Sequence, residues 1–412
     1  MKVLIIGNGG REQAIGKKLL EDNPFLKLYF YPGNGGTKII GKNIDHFHSL
    51  RKLVCFAKKE NINITIVGSE MFLMEKIVDM FHYQKLQIFG PHYQASRLEG
   101  DRSFSKNFMK KYGIRTPDYH TFRCYQRAEN FFKNQKGSFA IKTNGLAYGK
   151  GVILVHNQEE AKNALKKIMI QKKFGKSGET VIIEEFLTGI EATVISIFNG
   201  KKIIPLLSSK DYKKIGENET GLNTGGMGCI APHPSFNDSI WKDFKKNILT
   251  PTLEGLRSEK LNFLGFLYFG LMIHHGKVYL LEYNTRMGDP EAQTLFPLMN
   301  NNLLEVFNSV FLKKEIHFVW KKLHSCCIVL SSHGYPLEYE HGKVIYGIDS
   351  LKEPFYISGM KKIKETWITS GGRVLNIVGL GNSIKEARNL AYDKIKNIKF
   401  ENMYFRKDIG KI

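Results

Sequence analysis

The run Val3-Leu4-Ile5-Ile6 is continuously apolar and is cut off by a glycine turn, Gly7-Asn8-Gly9-Gly10. A strand covered on both faces needs that pattern, whereas a half-exposed strand would alternate. Comparable runs at residues 28–31, 64–67 and 87–89 predict three further strands, the first of them read as "LKLYFYPG". Between the runs the period lengthens. Leu50, Leu53, Val54 and Ala57 fall on one helix face, and residues 11–21 read as a helix starting directly after the glycine turn. Strands alternating with helices predict a small parallel sheet with helices on its faces. The alternation ends near "FGPHYQASRLEGDRSFSKNFMKKYGIRTP", where a basic helix is expected to close at Pro117.

Beyond it the pattern changes. "GSFAIKT" and "GVILVHN" read as strands flanking "NGLAYGKG", followed by a helix over 159–170 and a strand "TVIIEEFL". That is an α+β unit with a glycine-rich tip. Two longer apolar runs, "GFLYFGLMIHH" and "KVYLLEYNTRMGDPEAQ", carry the densest polar chemistry. After "FLKKEIHFVWKK" come short strands punctuated by glycine, then a helix whose start is marked by Ser383 and Glu386, a capping box. There is no internal repeat and no low-complexity tail.

The 412 residues suffice for two or three domains with their own cores. No apolar run approaches the roughly 18 to 20 residues of a membrane span, and the chain opens on a strand rather than a signal peptide. Five cysteines (Cys55, Cys124, Cys229, Cys326, Cys327) without C-x-x-C spacing argue for a reducing compartment, and against a disulfide framework or a zinc site. A cytoplasmic protein is expected. The charge of +22, from 61 Lys+Arg against 39 Asp+Glu, invites a nucleic-acid reading. Yet the lysines are scattered in pairs, and no nucleic-acid-binding signature accompanies them. The charge is read as a compositional bias that attracts anionic substrates in general.

Four stretches carry candidate chemistry. In "GNGGRE" the nicotinamide fingerprint would need a third glycine where Glu12 stands, and an acid after the second strand, where none occurs. The turn suits an anion and not a dinucleotide. In "IKTNGLAYGKGV" only three residues separate Gly145 from Gly149, where a Walker loop needs four, and a strand follows instead of a helix. The residues fit a phosphate-covering flap, with Lys142 as a fixed positive charge, or an ordinary hairpin with a surface lysine. In "EEFLTGIEAT" the strand end Glu184, Glu185, Phe186, Leu187 could offer backbone groups to a base edge, with Glu191 for ribose hydroxyls. In "EYNTRMGDPEAQ", Glu282 and Asn284 share a strand face and form a hard-ligand pair suited to Mg²⁺. Arg286 follows on the same face, then Asp289 and Glu291 around Pro290.

Together these stretches resemble the ATP-grasp superfamily, and within it the phosphoribosylamine–glycine ligases. The matching segments are "VLIIGNGGRE", "PGNGGT", "TIVGSE", "IFGP", "LEGDRSFSKNFM", "IKTNGLAYGKGV", "EEFLTGIEA", "TGLNTGGMG", "GFLYFGLM", "EYNTRMGDPEAQ", "HGYP", "SGGRVL" and "FRKDIG", in that family's order along nearly the whole chain. Departures occur at Ser69 and the missing prolines of "GSEMFL", at Asn144, at Tyr148 on the flap tip, at Ile190 where an acid is usual, at Tyr212 where a histidine is usual, and at "ISGM".

The resemblance implies an ATP-grasp fold, mixed α/β and α+β, with a Rossmann-like N-terminal domain (1–101) and an ATP-grasp domain (102–310, flap-bearing part about 118–190). A small mostly-β C-terminal domain (323–412) would follow. It implies ligation of glycine to 5-phosphoribosylamine through glycyl phosphate, with ATP as co-substrate and Mg²⁺ or Mn²⁺ on Glu282 and Asn284. Lys106, Lys142, Gly149, Lys150, Gly151, Glu184, Glu185, Phe186, Leu187 and Glu191 would bind ATP. Gly9, Gly10, Arg11, Glu70, Asn223, Gly225, Gly226, Arg286, Asp289 and Glu291 would bind the other substrates, with Arg286 and Lys142 as the catalytic charges. The partners implied are small molecules, neither nucleic acid nor membrane, in a monomer or weak homo-oligomer. Two rivals are an ATP-grasp carboxylase of purine metabolism and a basic nucleic-acid-binding protein.

Overall fold

The computed structural model describes residues 1–146 and 151–411. The first sheet holds β1 (Lys2–Gly7), β2 (Lys27–Pro32), β3 (Lys42–Asn43), β4 (Ile64–Val67) and β5 (Ile88–Phe89), all parallel, in the order β3-β2-β1-β4-β5. β1 is central, and its four apolar side chains are completely buried, as a run without alternation requires. The first helix (Gly10–Asp22) starts at the glycine turn, where Glu12 reaches back to accept the Gly9 N–H at 2.6 Å.

The basic helix is shorter than its sequence suggests. It runs Arg102–Lys111 and stops well before Pro117, because Gly113 adopts a left-handed φ of +65° just past the cap. A four-stranded sheet follows: β6 (Tyr119–Phe122), β7 (Phe139–Thr143), β8 (Val152–Val155) and β9 (Val181–Glu185), in the order β6-β9-β7-β8. β7 and β8 pair antiparallel on either side of the glycine-rich segment. Phe132, Ile141, Val155, Leu165 and Ile183 give this unit a core of its own.

The largest sheet is built from β10 (Ile190–Asn199), β11 (Ile203–Asp211), β14 (Gly228–Ala231), β15 (Leu264–His274), β16 (Lys277–Asn284), β17 (His324–Ser331), β18 (Phe355–Ile357) and β21 (Arg373–Gly381). Its order is β16-β15-β10-β11-β14-β17-β21-β18. Two hairpins stand off it, β12 (Lys214–Gly216) with β13 (Thr220–Asn223), and β19 (Met360–Ile363) with β20 (Thr366–Thr369). β15 is buried on both faces, which explains its unbroken apolar run. The C-terminal strands extend this sheet through the β14–β17 and β17–β21 pairings, and the helix Ile384–Ile395 packs against them; Ser383 caps it by accepting the Glu386 N–H, but Glu386 accepts from Asn382 rather than from Ser383, so the expected capping box forms only in half. One core cluster draws Val3 and Ile5 from the first sheet, Phe266 and Tyr268 from β15, Phe307 from a later helix, and Cys327 and Val378 from the C-terminal strands. The three sequence blocks therefore share a core, and a cleft opens where they meet.

Candidate active site

That cleft is a cavity of about 1630 Å³. From the N-terminal block it is lined by Gly9, Arg11, Glu70 and Glu99; from the ATP-grasp segments by Arg102, Lys106, Glu184, Asp211, Lys213, Gly225, Glu282, Asn284, Arg286, Asp289 and Glu291; and from the C-terminal block by Tyr335 and Arg373. Among the expected residues, Gly10, Lys142, Gly151, Glu185, Phe186, Leu187, Glu191, Asn223 and Gly226 do not line it, although Lys142 and Glu191 each contact a residue that does. Gly149 and Lys150 lie outside the described residues, as does Tyr148.

β16 delivers the acidic pair by means of a bulge. Gly270 faces Glu282 but Leu271 faces Leu280, so Leu281 is an extra residue. The bulge shifts the alternation: Val278 and Leu280 are buried ahead of it and Tyr283 after it, which leaves Leu281, Glu282 and Asn284 on the cavity. Burial alone would raise the Glu282 carboxyl, but Lys213, Arg102 and Lys142 overcome this and hold it down at about 2. An ionised carboxylate and an amide oxygen on one cavity wall fit a hard divalent ion that completes its shell with phosphates and water. Among the described residues there is no group of three or more His, Cys, Asp or Glu that could hold a metal without such help.

Two lysines share one acid. Glu184 Oε2 lies 2.7 Å from Lys142 Nζ and 3.3 Å from Lys106 Nζ, in a buried triad. Burial lowers Lys106 to about 8, opposed by Glu184, while the two ammonium groups keep the Glu184 carboxyl below its ordinary value against its own burial. The triad thus presents a net positive charge next to the acidic pair. The N–H groups of Glu185 and Phe186, expected to face a base edge, are instead donated to the carbonyls of Asp118 and Ser138 at 2.9 and 3.1 Å.

Arg286 donates from Nε to Glu70 at 3.1 Å and from Nη1 to the Met287 carbonyl at 3.2 Å, and its Nη2 lies 3.0 Å from Glu99. Of its five N–H groups, two remain for a ligand. Arg11 reaches the same Glu70 at 3.5 Å and the same Met287 carbonyl at 2.9 Å. Burial would raise the Glu70 carboxyl; the two guanidinium groups, Arg286 first, hold it at about 2.

The opening glycine turn already holds an anion supplied by the protein. Asp289 Oδ2 accepts the Arg11 N–H at 3.2 Å, and the Gly9 N–H goes to Glu12. Gly10 sits away from the cavity, where an added Cβ would meet Gln293 and Ser358. Asp289 Oδ1 accepts from Gln293 at 2.8 Å and lies 3.3 Å from Arg373, which also donates to the Gly225 carbonyl at 2.5 Å and the Asp289 carbonyl at 2.6 Å. Tyr335 accepts the Gly225 N–H at 2.9 Å. The glycine loop at 223–228 is therefore held from the C-terminal strands. Tyr212, the departure beside Asp211, points away from the cavity into the C-terminal core, where its hydroxyl accepts the Gly410 N–H at 3.1 Å.

Sequence profiles of phosphoribosylglycinamide synthetase match the chain in three consecutive parts: the N domain over residues 1–99, the ATP-grasp (A) domain over 100–292 and the C domain over 325–412. The chain belongs to the phosphoribosylglycinamide synthetase family. It is 45% identical to the phosphoribosylamine–glycine ligase of Fusobacterium nucleatum, covering 100% of this chain and 98% of that protein, and 42% identical to that of Clostridium acetobutylicum, covering 100% of both. The crystal structure of a phosphoribosylamine–glycine ligase from Thermotoga maritima superposes with a TM-score of 0.87 at 31% identity, over 99% of this chain and 100% of that one. The biotin carboxylase domain of a Hydrogenobacter thermophilus 2-oxoglutarate carboxylase shares the fold at 12% identity, with a TM-score of 0.77 over 98% of this chain and 91% of that one.

Sequence reasoning passed over Glu99, Arg102, Asp211, Lys213, Tyr335 and Arg373. Glu99, Arg102, Tyr335 and Arg373 lie in stretches that carry the resemblance, so a signal was present there, whereas Asp211 and Lys213 flank the departure at Tyr212. Nothing local separates Lys213 or Arg373 from the other members of a set of 61 Lys+Arg.

Proposed function

We propose that the chain is an ATP-dependent ligase joining glycine to 5-phosphoribosylamine, with release of ADP and phosphate through a glycyl phosphate. The observation that carries this is the convergence on one cavity of the Glu282–Asn284 pair, the Lys106–Glu184–Lys142 triad and the Arg286–Arg11 clamp. The residues divide the work by position. Glu282 and Asn284 hold the Mg²⁺ or Mn²⁺ of the nucleotide, which offsets phosphate charge and orients the transferring group. Lys106 and Lys142 balance the phosphates from the β7–β9 side, with the nucleotide base against the end of β9. Arg286 spends its two remaining N–H groups on the carboxylate of glycine and on the acyl phosphate formed from it, a fork geometry that a lysine would not supply. Arg11, Glu70 and the glycine turn face the phosphoribosylamine. No protein nucleophile is needed, since the carboxylate of one substrate and the amine of the other carry both attacks. Catalysis rests on positioning and fixed charge.

The deciding experiment measures ADP release with glycine and freshly generated phosphoribosylamine, each omitted in turn. Release that needs both supports the ligase. Release that needs bicarbonate instead would assign a carboxylase, and salt-sensitive retention on nucleic acid without turnover would remove the enzyme reading altogether.

A further inference from the structure

Thr116 lies in the short crossing between the helix Arg102–Lys111 and β6, and it does not line the cavity. Its hydroxyl nonetheless joins two parts of the site. Oγ1 accepts from Lys106 Nζ at 2.6 Å and donates to the Leu280 carbonyl at 2.7 Å. The polarity is fixed, because a carbonyl only accepts and the one hydroxyl hydrogen must go to it. The oxygen is left to receive the lysine. Leu280 stands directly before the β16 bulge, so this relay runs from Lys106 to the strand that carries Glu282 and Asn284.

The crossing is itself seated on β16. The Arg115 carbonyl accepts the Leu280 N–H at 2.9 Å, and Arg115 Nη1 reaches Asp243 Oδ2 at 2.6 Å. The same Asp243 oxygen accepts the Val278 N–H at 2.7 Å. Pro117 follows and biases Thr116 away from helical backbone. Lys106 is 2% exposed, and a buried ammonium is costly unless its N–H groups have partners. Of its three, one goes to Thr116 and one toward Glu184 at 3.3 Å. One remains for a ligand in the cavity that Lys106 lines.

We propose that Thr116 is a positioning residue for nucleotide binding: it aims the Lys106 ammonium at the ATP phosphates and ties that lysine to the strand holding the Glu282–Asn284 pair. This deepens the ligase reading above and rests on its nucleotide half. Thr116 touches neither substrate nor metal and acts through Lys106. Lys142 and Glu184 belong to the unit spanning β6 to β9, whereas the relay holds Lys106 to the large sheet. One phosphate lysine and the acidic pair are therefore kept in a fixed relation at the entry to that unit.

The test compares wild type with Thr116→Val, Thr116→Ser, Lys106→Met and the Thr116→Val/Lys106→Met double variant. It reads the Kd of Mg·ATP by calorimetry, the KM for ATP and for glycine, and the thermal midpoint. Valine keeps the shape and removes the hydroxyl, so Mg·ATP binding should weaken about tenfold, as loss of a hydrogen bond to a charged group does. The glycine KM should move less than about twofold. Serine keeps both hydrogen bonds and should stay within about twofold of wild type. With Lys106 already replaced by Met, Thr116→Val should add less than about twofold, because its effect passes through the lysine. A lowered thermal midpoint with unchanged Mg·ATP affinity would show a merely structural threonine and overturn the assignment. Serine no better than valine, or full additivity in the double variant, would overturn it as well. Should valine disturb the fold, Thr116→Ala takes its place with the same expectations. Calorimetry needs no turnover, so a wild type that binds Mg·ATP without glycine-dependent ADP release would sink the ligase reading alone.

Discussion

Glu282 and Glu70 are acids that burial should neutralise and that neighbouring cations keep ionised, both at about 2. In the proposed function the charge of Glu282 would meet the cation of the nucleotide. Glu282→Gln should lower ADP formation on the order of a hundredfold or more with the fold intact, and Asn284→Ala should lose less and be partly rescued by raised Mg²⁺. Steady-state rates over a Mg²⁺ series, with circular dichroism as the folding check, read this out. A Glu282→Gln enzyme with most of its activity would mean the pair does not hold the ion. Glu70 makes a stability prediction. Its folded-state value lies below the ordinary 4.5, so its contribution is complete above about pH 4.5 and is lost as the pH falls toward 2. Glu70→Gln should therefore flatten the acid limb of the stability curve between those values in denaturant titrations. An unchanged limb would show that the Arg286 and Arg11 contacts add nothing to stability.

Single elements carry the site's geometry through local irregularities. The β16 bulge sets Glu282 and Asn284 on the cavity while Tyr283 stays in the core, and a strand without it would turn one set or the other away. β21 opens on Arg373, whose hydrogen bonds tie the glycine loop and Asp289 to the C-terminal strands. Arg373 acts here as a positioning residue, because its Nη1 is spent on protein carbonyls. Arg373→Ala should cut kcat about ten- to a hundredfold while the ATP KM moves little, and Arg373→Lys should recover much of the loss, since a single nitrogen, Nη1, makes both contacts and an ammonium offers the same two donors. Kinetics for lysine no better than for alanine would argue against bridging. The first helix takes its partner from far along the chain. Its N-terminal amides do attract an anion, and that anion includes Asp289 of the same chain. At Gly9 a Cβ would stand 2.8 Å from Asp289 Oδ2. Gly9→Val should therefore weaken phosphoribosylamine use by disturbing that contact, with ATP binding little changed.

At the scale of the whole molecule, the unit spanning β6 to β9 differs from the rest. Its core is separate, whereas the first sheet, the large sheet and the C-terminal strands share one. A body with its own core can turn on its connections without breaking the main one. ATP should close this unit over the cavity, lowering the radius of gyration in solution scattering and raising hydrogen-exchange protection along β7, β8 and the start of the helix Arg102–Lys111. There Arg102 already donates to the carbonyls of Thr143 and Gly145 at 2.8 and 3.0 Å. Equal scattering and equal protection with and without ATP would make the unit static.

The sequence alone determined what depends on neighbours along the chain. Continuous apolar runs specified the buried strands β1 and β15, the Ser383 cap started the helix at Ile384, and ordered motifs identified the family and the Glu282–Asn284 pair. Spacing within one element is enough for such readings, because strand and helix periods fix which side chains share a face. Tertiary structure decided the rest. Lys213 became the link between Glu191 and Glu282, Asp289 the anion of the first helix, and Arg373 the clamp on the glycine loop, through contacts that join residues up to 278 positions apart. Tyr212 turned into the C-terminal core while Asp211 beside it faced the cavity, which side-chain identity could not foretell. Charge pairing acts through space, and only the packing of three blocks around one core sets which of many similar lysines, arginines and acids come within reach of each other.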